Sequence, residues 1–273
     1  MKFRNFLLEQ IIPVWVINLK KRPDRLQKVG DRLDGLGIIW ERIEAIDGQT
    51  CEDYLLENTA KNGEIGPLSD STRACSASHY CFWKNLENDA SLFGVVLEDD
   101  VEISDDFKEL LCNVSWIPEN TNIIKLEKFL PNKVSKVLVG DVVSTVPNST
   151  RQVHRMFSRH TGAAAYLMSK NGAKNALNWD LPFTVPVDHL LFNETVSKLS
   201  SSLRPFILVP PIAWQSVEIG QGSNIDDSNR MHLSKAKRIF RSIKRAYYET
   251  KLLPRQLFLL FTREAIVKKI FPK

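Results

Sequence analysis

The chain has 273 residues, 43% apolar and 25% charged, enough to bury one large core or two modest ones, which excludes a disordered chain. Its four cysteines form no CxxC pair, and a chain of this length folds without staples, so free thiols in a reducing compartment are expected. The net charge of +5 is uneven: residues 230–273 hold 13 Lys/Arg against two acids, leaving 24 basic and 30 acidic residues before them. Such a tail is expected to meet an anionic surface, with membrane headgroups, an anionic acceptor and nucleic acid as the candidates.

Residues 1–8 carry two basic residues, but Glu9 and Gln10 interrupt them before any signal-peptide core. The apolar run 11–17 contains Pro13 and is far shorter than the roughly 20 residues that cross a bilayer. Residues 14–18 read as a strand, and Leu26, Val29, Leu33 and Leu36 follow at helical spacing, with Pro23 suited to a first turn and Gly35 and Gly37 to a stop. Residues 38–46 read as a second strand, giving a β-α-β opening. Residues 74–88 read as a helix and 93–97 as a buried strand running into Glu98, Asp99 and Asp100. Further strands are expected at 123–126, 163–168 and 206–209, with a short helix at 172–177. The alternation predicts an α/β sheet with parallel strands. From residue 234 a basic amphipathic helix is expected, broken at Pro254 and followed by a second basic-apolar stretch over 257–271. Domain boundaries follow: residues 1–229 as the catalytic body and 230–273 as the basic helical appendage.

Three acids directly after an apolar strand place carboxylates at the carboxyl end of the sheet, where open α/β folds bind ligands. Hard oxygen donors of this kind suit Mg²⁺ or Mn²⁺; a solvated strand-to-loop turn is the alternative. Asn18, Arg22 and Arg25 follow the first strand and can reach a nucleotide over the sheet edge. His79, in a predicted helix, reads more readily as a structural hydrogen-bond partner than as a nucleotide contact. No phosphate-binding loop or HExxH motif occurs, and the Gly-x-Gly at residues 220–222 follows no convincing βα turn.

Five blocks taken together carry a family likeness. Residues 14–26 (VWVINLKKRPDRL), 74–83 (ACSASHYCFW), 95–104 (VVLEDDVEIS), 161–169 (TGAAAYLMS) and 185–192 (VPVDHLLF) resemble the pattern of glycosyltransferase family 25, over about residues 14–225. The resemblance implies a GT-A, Rossmann-like fold and an inverting sugar transfer from a UDP-sugar with Mn²⁺ (or Mg²⁺). It makes Asp100 the first choice of metal ligand, with Glu98 helping to hold the metal or facing the ribose, and Asp99 a second ligand or an electrostatic support. Asp188, before an apolar run, is the expected general base; an ordinary helix N-cap explains it as well. Gln215, Ser216, Ser223 and Asn224 are candidate phosphate or sugar contacts. The downstream histidine that often completes such metal sites is missing until His232, and residues 59–71 carry additional residues beside the acceptor cleft.

The expected function is therefore transfer of a hexose, galactose from UDP-galactose first, to a lipooligosaccharide, lipopolysaccharide or related glycan. The expected partners are a nucleotide-sugar donor, a glycolipid or oligosaccharide acceptor and, through the tail, an anionic membrane surface; no nucleic acid is expected. The place of action is the inner face of the cytoplasmic membrane, as a peripheral protein. A divalent-metal phosphoesterase and a non-catalytic glycan-binding protein are the alternatives.

Overall fold

The apolar run at 14–18 forms strand β1 (Val14–Asn18), buried on both faces, in a computed structural model that describes residues 10–129, 132–215 and 235–271, the side chains of 235–241 and 245 excepted. Helix α1 (Pro23–Gly35) follows, with Pro23 in a first turn where no backbone N–H is needed. Gly37, at φ +64°, closes the helix, and β2 (Trp40–Glu44) returns parallel to β1. A hairpin of β3 (Asn62–Gly63) and β4 (Gly66–Pro67) leads to α2 (Asp70–Asn88), capped by Ser69, whose Oγ accepts the Thr72 N–H. Strand β5 (Phe93–Glu98) then enters beside β1 in parallel.

Shorter pieces follow: β6 (Val101–Ile103), α3 (Phe107–Leu111), β7 (Ile123–Lys125) and β8 (Glu127–Lys128). Next come the β9 (Ser135–Thr145) and β10 (Gln152–Met156) hairpin, β11 (Ala165–Ser169), α4 (Lys170–Leu177), α5 (Val187–Phe192) and α6 (Lys198–Leu203). Strands β12 (Phe206–Val209) and β13 (Ala213–Gln215), helix α7 (Lys235–Phe261) and β14 (Ile266–Ile270) complete the described chain.

Among the described residues nine strands form one sheet in the order β14-β9-β10-β12-β7-β11-β5-β1-β2, and β6-β13-β8 form a small second sheet. Alternation along the central strands builds two cores. Trp15, Ile17, Val96, Tyr166 and Met168 face Phe82, Trp83 and Leu86 of α2 and the apolar sides of α4, α5 and α6. Val14, Val16, Val95, Leu97 and Leu167 face Val29 and Leu33 of α1 and Phe107, Leu110 and Leu111 of α3. The result is a three-layer α/β/α body.

Two expectations are corrected. The sheet is mixed: β5, β1 and β2 are parallel, but β11 runs antiparallel to both β5 and β7. A parallel return needs a crossover, usually a helix, and the chain between β7 and β11 is instead the β9–β10 hairpin. Pro254 does not break the last helix, and 257–271 is not a second one. Helix α7 continues through Pro254 to Phe261, and β14 joins the edge of the main sheet against β9. Tertiary contacts hold the turns beyond the proline: Gln256 Nε2 donates to the Phe157 carbonyl at 2.9 Å, Arg255 pairs with Glu194 at 3.1 Å, and Leu259 packs on Leu138. The expected boundary at 229/230 lies outside the described residues.

Candidate active site

The parallel strands β1 and β5 end side by side, so Asn18 and Glu98 emerge at the same edge and the acids continue into the turn before β6. Asn18 is buried; its Nδ2 donates to Asp99 Oδ2 at 2.7 Å and to the Arg22 carbonyl at 2.8 Å. Arg25 NH1 lies 3.4 Å from Asp99 Oδ1 and 4.0 Å from Asp100 Oδ2. Asp99 is thus clamped from two sides, although burial still raises its carboxyl above the ordinary range. Asp100 has less help. Its Oδ1 is buried with no hydrogen-bond partner among the described residues, and burial, then the charges of Glu98 and Asp99, push it up to about 8.

Glu98 is held differently. Its Oε1 lies 3.1 Å from His79 Nε2 and 3.8 Å from Cys75 Sγ, both from one face of α2. The His79 Nδ1 lies 3.0 Å from the Tyr166 hydroxyl, which also accepts the Trp83 indole N–H at 3.0 Å. The Cys75 thiol is pushed well above its usual value by burial and by the charges of Glu98, Asp188 and Asp100, which places Asp188 within electrostatic reach of the same cleft.

Asp188 lies in the first turn of α5, and its Oδ2 accepts the Gly162 N–H at 3.4 Å. Gly162 has φ +92°, and a Cβ there would sit 2.2 Å from Glu127 Oε1. The Gly162 carbonyl accepts from Lys125 Nζ, which also pairs with Glu127 at 2.7 Å, both side chains being fully buried. Glu127 Oε1 accepts the Ala164 N–H at 3.4 Å. Beside this pair, His160 is buried with neither ring nitrogen partnered among the described residues. Burial, with the charges of Lys125 and Lys128, lowers it to about 3.

Of the residues expected from sequence, Asn18, Arg25, Glu98, Asp99 and Asp100 form one cluster, and Gln215 sits beside it because β13 pairs Gln215 with Val101. Arg22 is turned outward into an ion pair with Asp24 at 2.7 Å; the acids reach its guanidinium only through space. Ser216, Ser223, Asn224, Gly220, Gly222 and His232 lie outside the described residues. Sequence reasoning passed over Tyr166, the Lys125–Glu127 pair and Gly162, and ranked His79 low. The signals existed: His79 stands one helical turn after Cys75, and charges alternate with apolar residues in 124–127.

A divalent cation fits this cluster. Glu98, Asp99 and Asp100 follow one another at one strand end, one of their oxygens, Asp100 Oδ1, is buried without a donor among the described residues, and hard oxygen donors of this kind suit Mg²⁺ or Mn²⁺. Asp100 and Glu98, the residues the sequence singled out, would be the ones to hold it.

Comparison with known proteins agrees with the likeness read from the motifs. A putative glycosyltransferase of Haemophilus influenzae is 28% identical over 193 residues, 66% of this chain and 62% of that one. Lipooligosaccharide biosynthesis protein lic2B of Haemophilus influenzae is 22% identical, covering 93% of this chain and 96% of the relative. Procollagen galactosyltransferase 1-A of Xenopus laevis is 28% identical over 79% of this chain, which spans only 38% of that relative. The family model of glycosyltransferase family 25 (LPS biosynthesis protein) matches residues 11–191, taking in β1, the acidic turn and Asp188 alike. By that match, over well more than half of its length, the chain belongs to glycosyltransferase family 25.

Proposed function

We propose that the chain transfers a hexose, galactose from UDP-galactose first, with inversion, to a hydroxyl of a lipooligosaccharide, lipopolysaccharide or related glycan. The observation that carries this reading is the Asp100 Oδ1 at the carboxyl end of β5, buried without a hydrogen-bond partner among the described residues, with the Asp188 charge felt at Cys75 beside it. Asp100, with Glu98, would hold a divalent cation, Mn²⁺ or Mg²⁺, whose charge would neutralise the diphosphate of the leaving nucleotide. Asn18 and Arg25 fix Asp99 and line the nucleotide side, and Arg22 and Gln215 flank it. Asp188 takes the proton of the acceptor hydroxyl as that oxygen bonds to the anomeric carbon and the bond to the diphosphate breaks. The names of two relatives support the donor and acceptor classes: procollagen galactosyltransferase for the first, lipooligosaccharide biosynthesis for the second.

The basic tail supports work at an anionic membrane surface, on the inner face of the cytoplasmic membrane. Among the described residues no helix is long and apolar enough to cross a bilayer. Helix α7 instead exposes Leu257, Phe258 and Phe261 near Lys251, Arg255 and Arg263, the make-up of an interfacial helix.

The deciding experiment measures nucleotide release from UDP-, GDP-, CMP- and dTDP-sugars, with and without Mn²⁺ and with and without a rough lipooligosaccharide acceptor. Mn²⁺-dependent, acceptor-stimulated UDP release is expected. Acceptor-independent phosphate release would make the chain a phosphoesterase, and no turnover with any donor a glycan-binding protein.

A further inference from the structure

We propose that Cys75, His79 and Glu98 form a binding site for one thiophilic divalent cation of the zinc type, adjoining the Asp100 carboxylate and competing with it for Glu98. Cys75 and His79 stand four residues apart on α2 and therefore share a face one turn apart, and the end of β5 brings Glu98 to that face. Their three donor atoms lie within 4.8 Å of one another. Cys75 Sγ is 3.8 Å and His79 Nε2 is 3.1 Å from the same oxygen, Glu98 Oε1. Around a tetrahedral zinc ion, with bonds of about 2.0–2.3 Å, neighbouring donors sit roughly 3.3–3.8 Å apart. Two edges of the site are thus within a few tenths of an ångström of coordination length.

His79 is buried while Cys75 and Glu98 are partly exposed, so the site opens on the cleft and leaves a fourth position for water or a phosphate oxygen. Thiolate and imidazole favour zinc strongly over manganese or magnesium, whereas the carboxylate at Asp100 suits the harder Mn²⁺ and Mg²⁺. Coordination releases one proton per ion, from the Cys75 thiol to solvent. The His79 proton moves from Nε2 to Nδ1 and donates to the Tyr166 hydroxyl, which fixes the ring. That hydroxyl then loses the acceptor for its own proton, which keeps the affinity below that of a closed structural zinc site. An ion held here withdraws Glu98 from the neighbouring cation and inhibits transfer; this second half rests on the transferase reading.

The test titrates the full-length chain with Co²⁺, a spectroscopic surrogate for zinc. A thiolate-to-cobalt charge-transfer band saturating at one equivalent, bleached by Zn²⁺, lost in Cys75→Ala and His79→Gln and retained in Asp100→Ala, is expected. Circular dichroism identifies any variant that fails to fold, for which Cys75→Ser is the substitute. A folded wild-type chain without the band, or a folded Cys75→Ala chain that keeps it, overturns the site. In the transfer assay, micromolar Zn²⁺ is expected to cut wild-type turnover at least tenfold and to spare Cys75→Ala. Wild-type transfer unaffected by zinc at cobalt-saturating concentrations overturns the inhibitory role. An intact cobalt band in a chain that turns over no donor leaves the cation site standing and removes the transferase reading instead.

Discussion

His79 Nε2 lies 3.1 Å from Glu98 Oε1, and the two hydrogen bonds behind it fix which ring nitrogen carries the proton. An indole N–H only donates, so the Tyr166 oxygen accepts from Trp83 and directs its own proton to His79 Nδ1. Nε2 therefore bears the hydrogen and points it at Glu98. A buried chain from Trp83 through Tyr166 and His79 thus aims one carboxylate of the acidic cluster. Tyr166→Phe leaves the Trp83 N–H buried without an acceptor and frees the imidazole to turn over its tautomer. A loss of about 1–3 kcal/mol in urea unfolding is expected; an unchanged midpoint would mean the chain carries no strain-bearing bond.

Asp100 shows the opposite balance, a site that costs the fold something. An acid whose folded value is raised to about 8 favours the unfolded chain wherever the unfolded carboxyl is ionised. The cost is absent below the unfolded value near 3.8, grows as pH rises, and levels off above about 8. In the metal-free chain the stability difference between Asp100→Asn and wild type should therefore grow in favour of the variant from pH 4 to 8, reaching on the order of a few kcal/mol at pH 7. The same variant should lose at least a hundredfold in Mn²⁺-dependent turnover. Thermal melts across pH, paired with the release assay, check both; an Asn variant less stable than wild type at pH 7 contradicts the assignment.

The strand ends were legible because burial writes itself into composition: residues 14–18, 93–97 and 206–209 are apolar on both faces, and each is a strand of the main sheet. The acidic turn was legible for the same reason, as the polar residues that end such a run. The β9–β10 hairpin was not, because its Val142 and Val143 face solvent and its bulged register breaks the period of two. Strand β14 was misread as helix because Ile266, Val267 and Ile270 satisfy either period, and only the free edge of β9 decides between them. Lys125 and Glu127 were invisible as a site because two charges one residue apart read as solvated, and their burial is a tertiary fact.

Gly162 joins the buried ion pair to Asp188, so it should be among the least replaceable positions outside the acidic cluster. Gly162→Ala puts a methyl 2.2 Å from Glu127 Oε1 at a backbone φ of +92°. Lys125→Met keeps the volume but leaves Glu127 charged and unpaired, at a cost of about 3–5 kcal/mol. Both should lower the melting temperature, and Gly162→Ala should also reduce kcat more than KM by moving the Asp188 carboxylate. Wild-type melting and kinetics in Gly162→Ala would separate Asp188 from this network.

His160 sets an acid limit. Its folded value, lowered to about 3 by burial and then by the charges of Lys125 and Lys128, lies below the unfolded value near 6.5. Stability from this group is complete above pH 6.5 and is lost as pH falls toward 3, by an upper bound on the order of 4 kcal/mol. His154, also lowered by burial, acts in the same direction, and Asp100 acts in the opposite one. The informative quantity is therefore the difference between His160→Phe and wild type, which should grow in favour of the variant from pH 7 to pH 4. A difference constant with pH would mean that His160 takes up its proton in the fold as readily as out of it.

The last helix offers a test of place rather than chemistry. On α7, Leu259 packs against Leu138 while Phe258 and Phe261 are 60% and 89% exposed, so the apolar residues divide between the body and the solvent. The exposed pair turns most of its surface to solvent rather than to the sheet. Burying two phenylalanines in a lipid interface contributes several kcal/mol, and the adjacent Lys251, Arg255 and Arg263 add attraction to anionic headgroups. The double variant Phe258→Glu/Phe261→Glu should bind vesicles containing an anionic phospholipid at least tenfold more weakly in co-sedimentation. It should keep wild-type turnover on a soluble oligosaccharide acceptor. Equal binding by variant and wild type would mean that this face of α7 does not meet the bilayer, and would leave the basic residues alone to account for any salt-sensitive attachment.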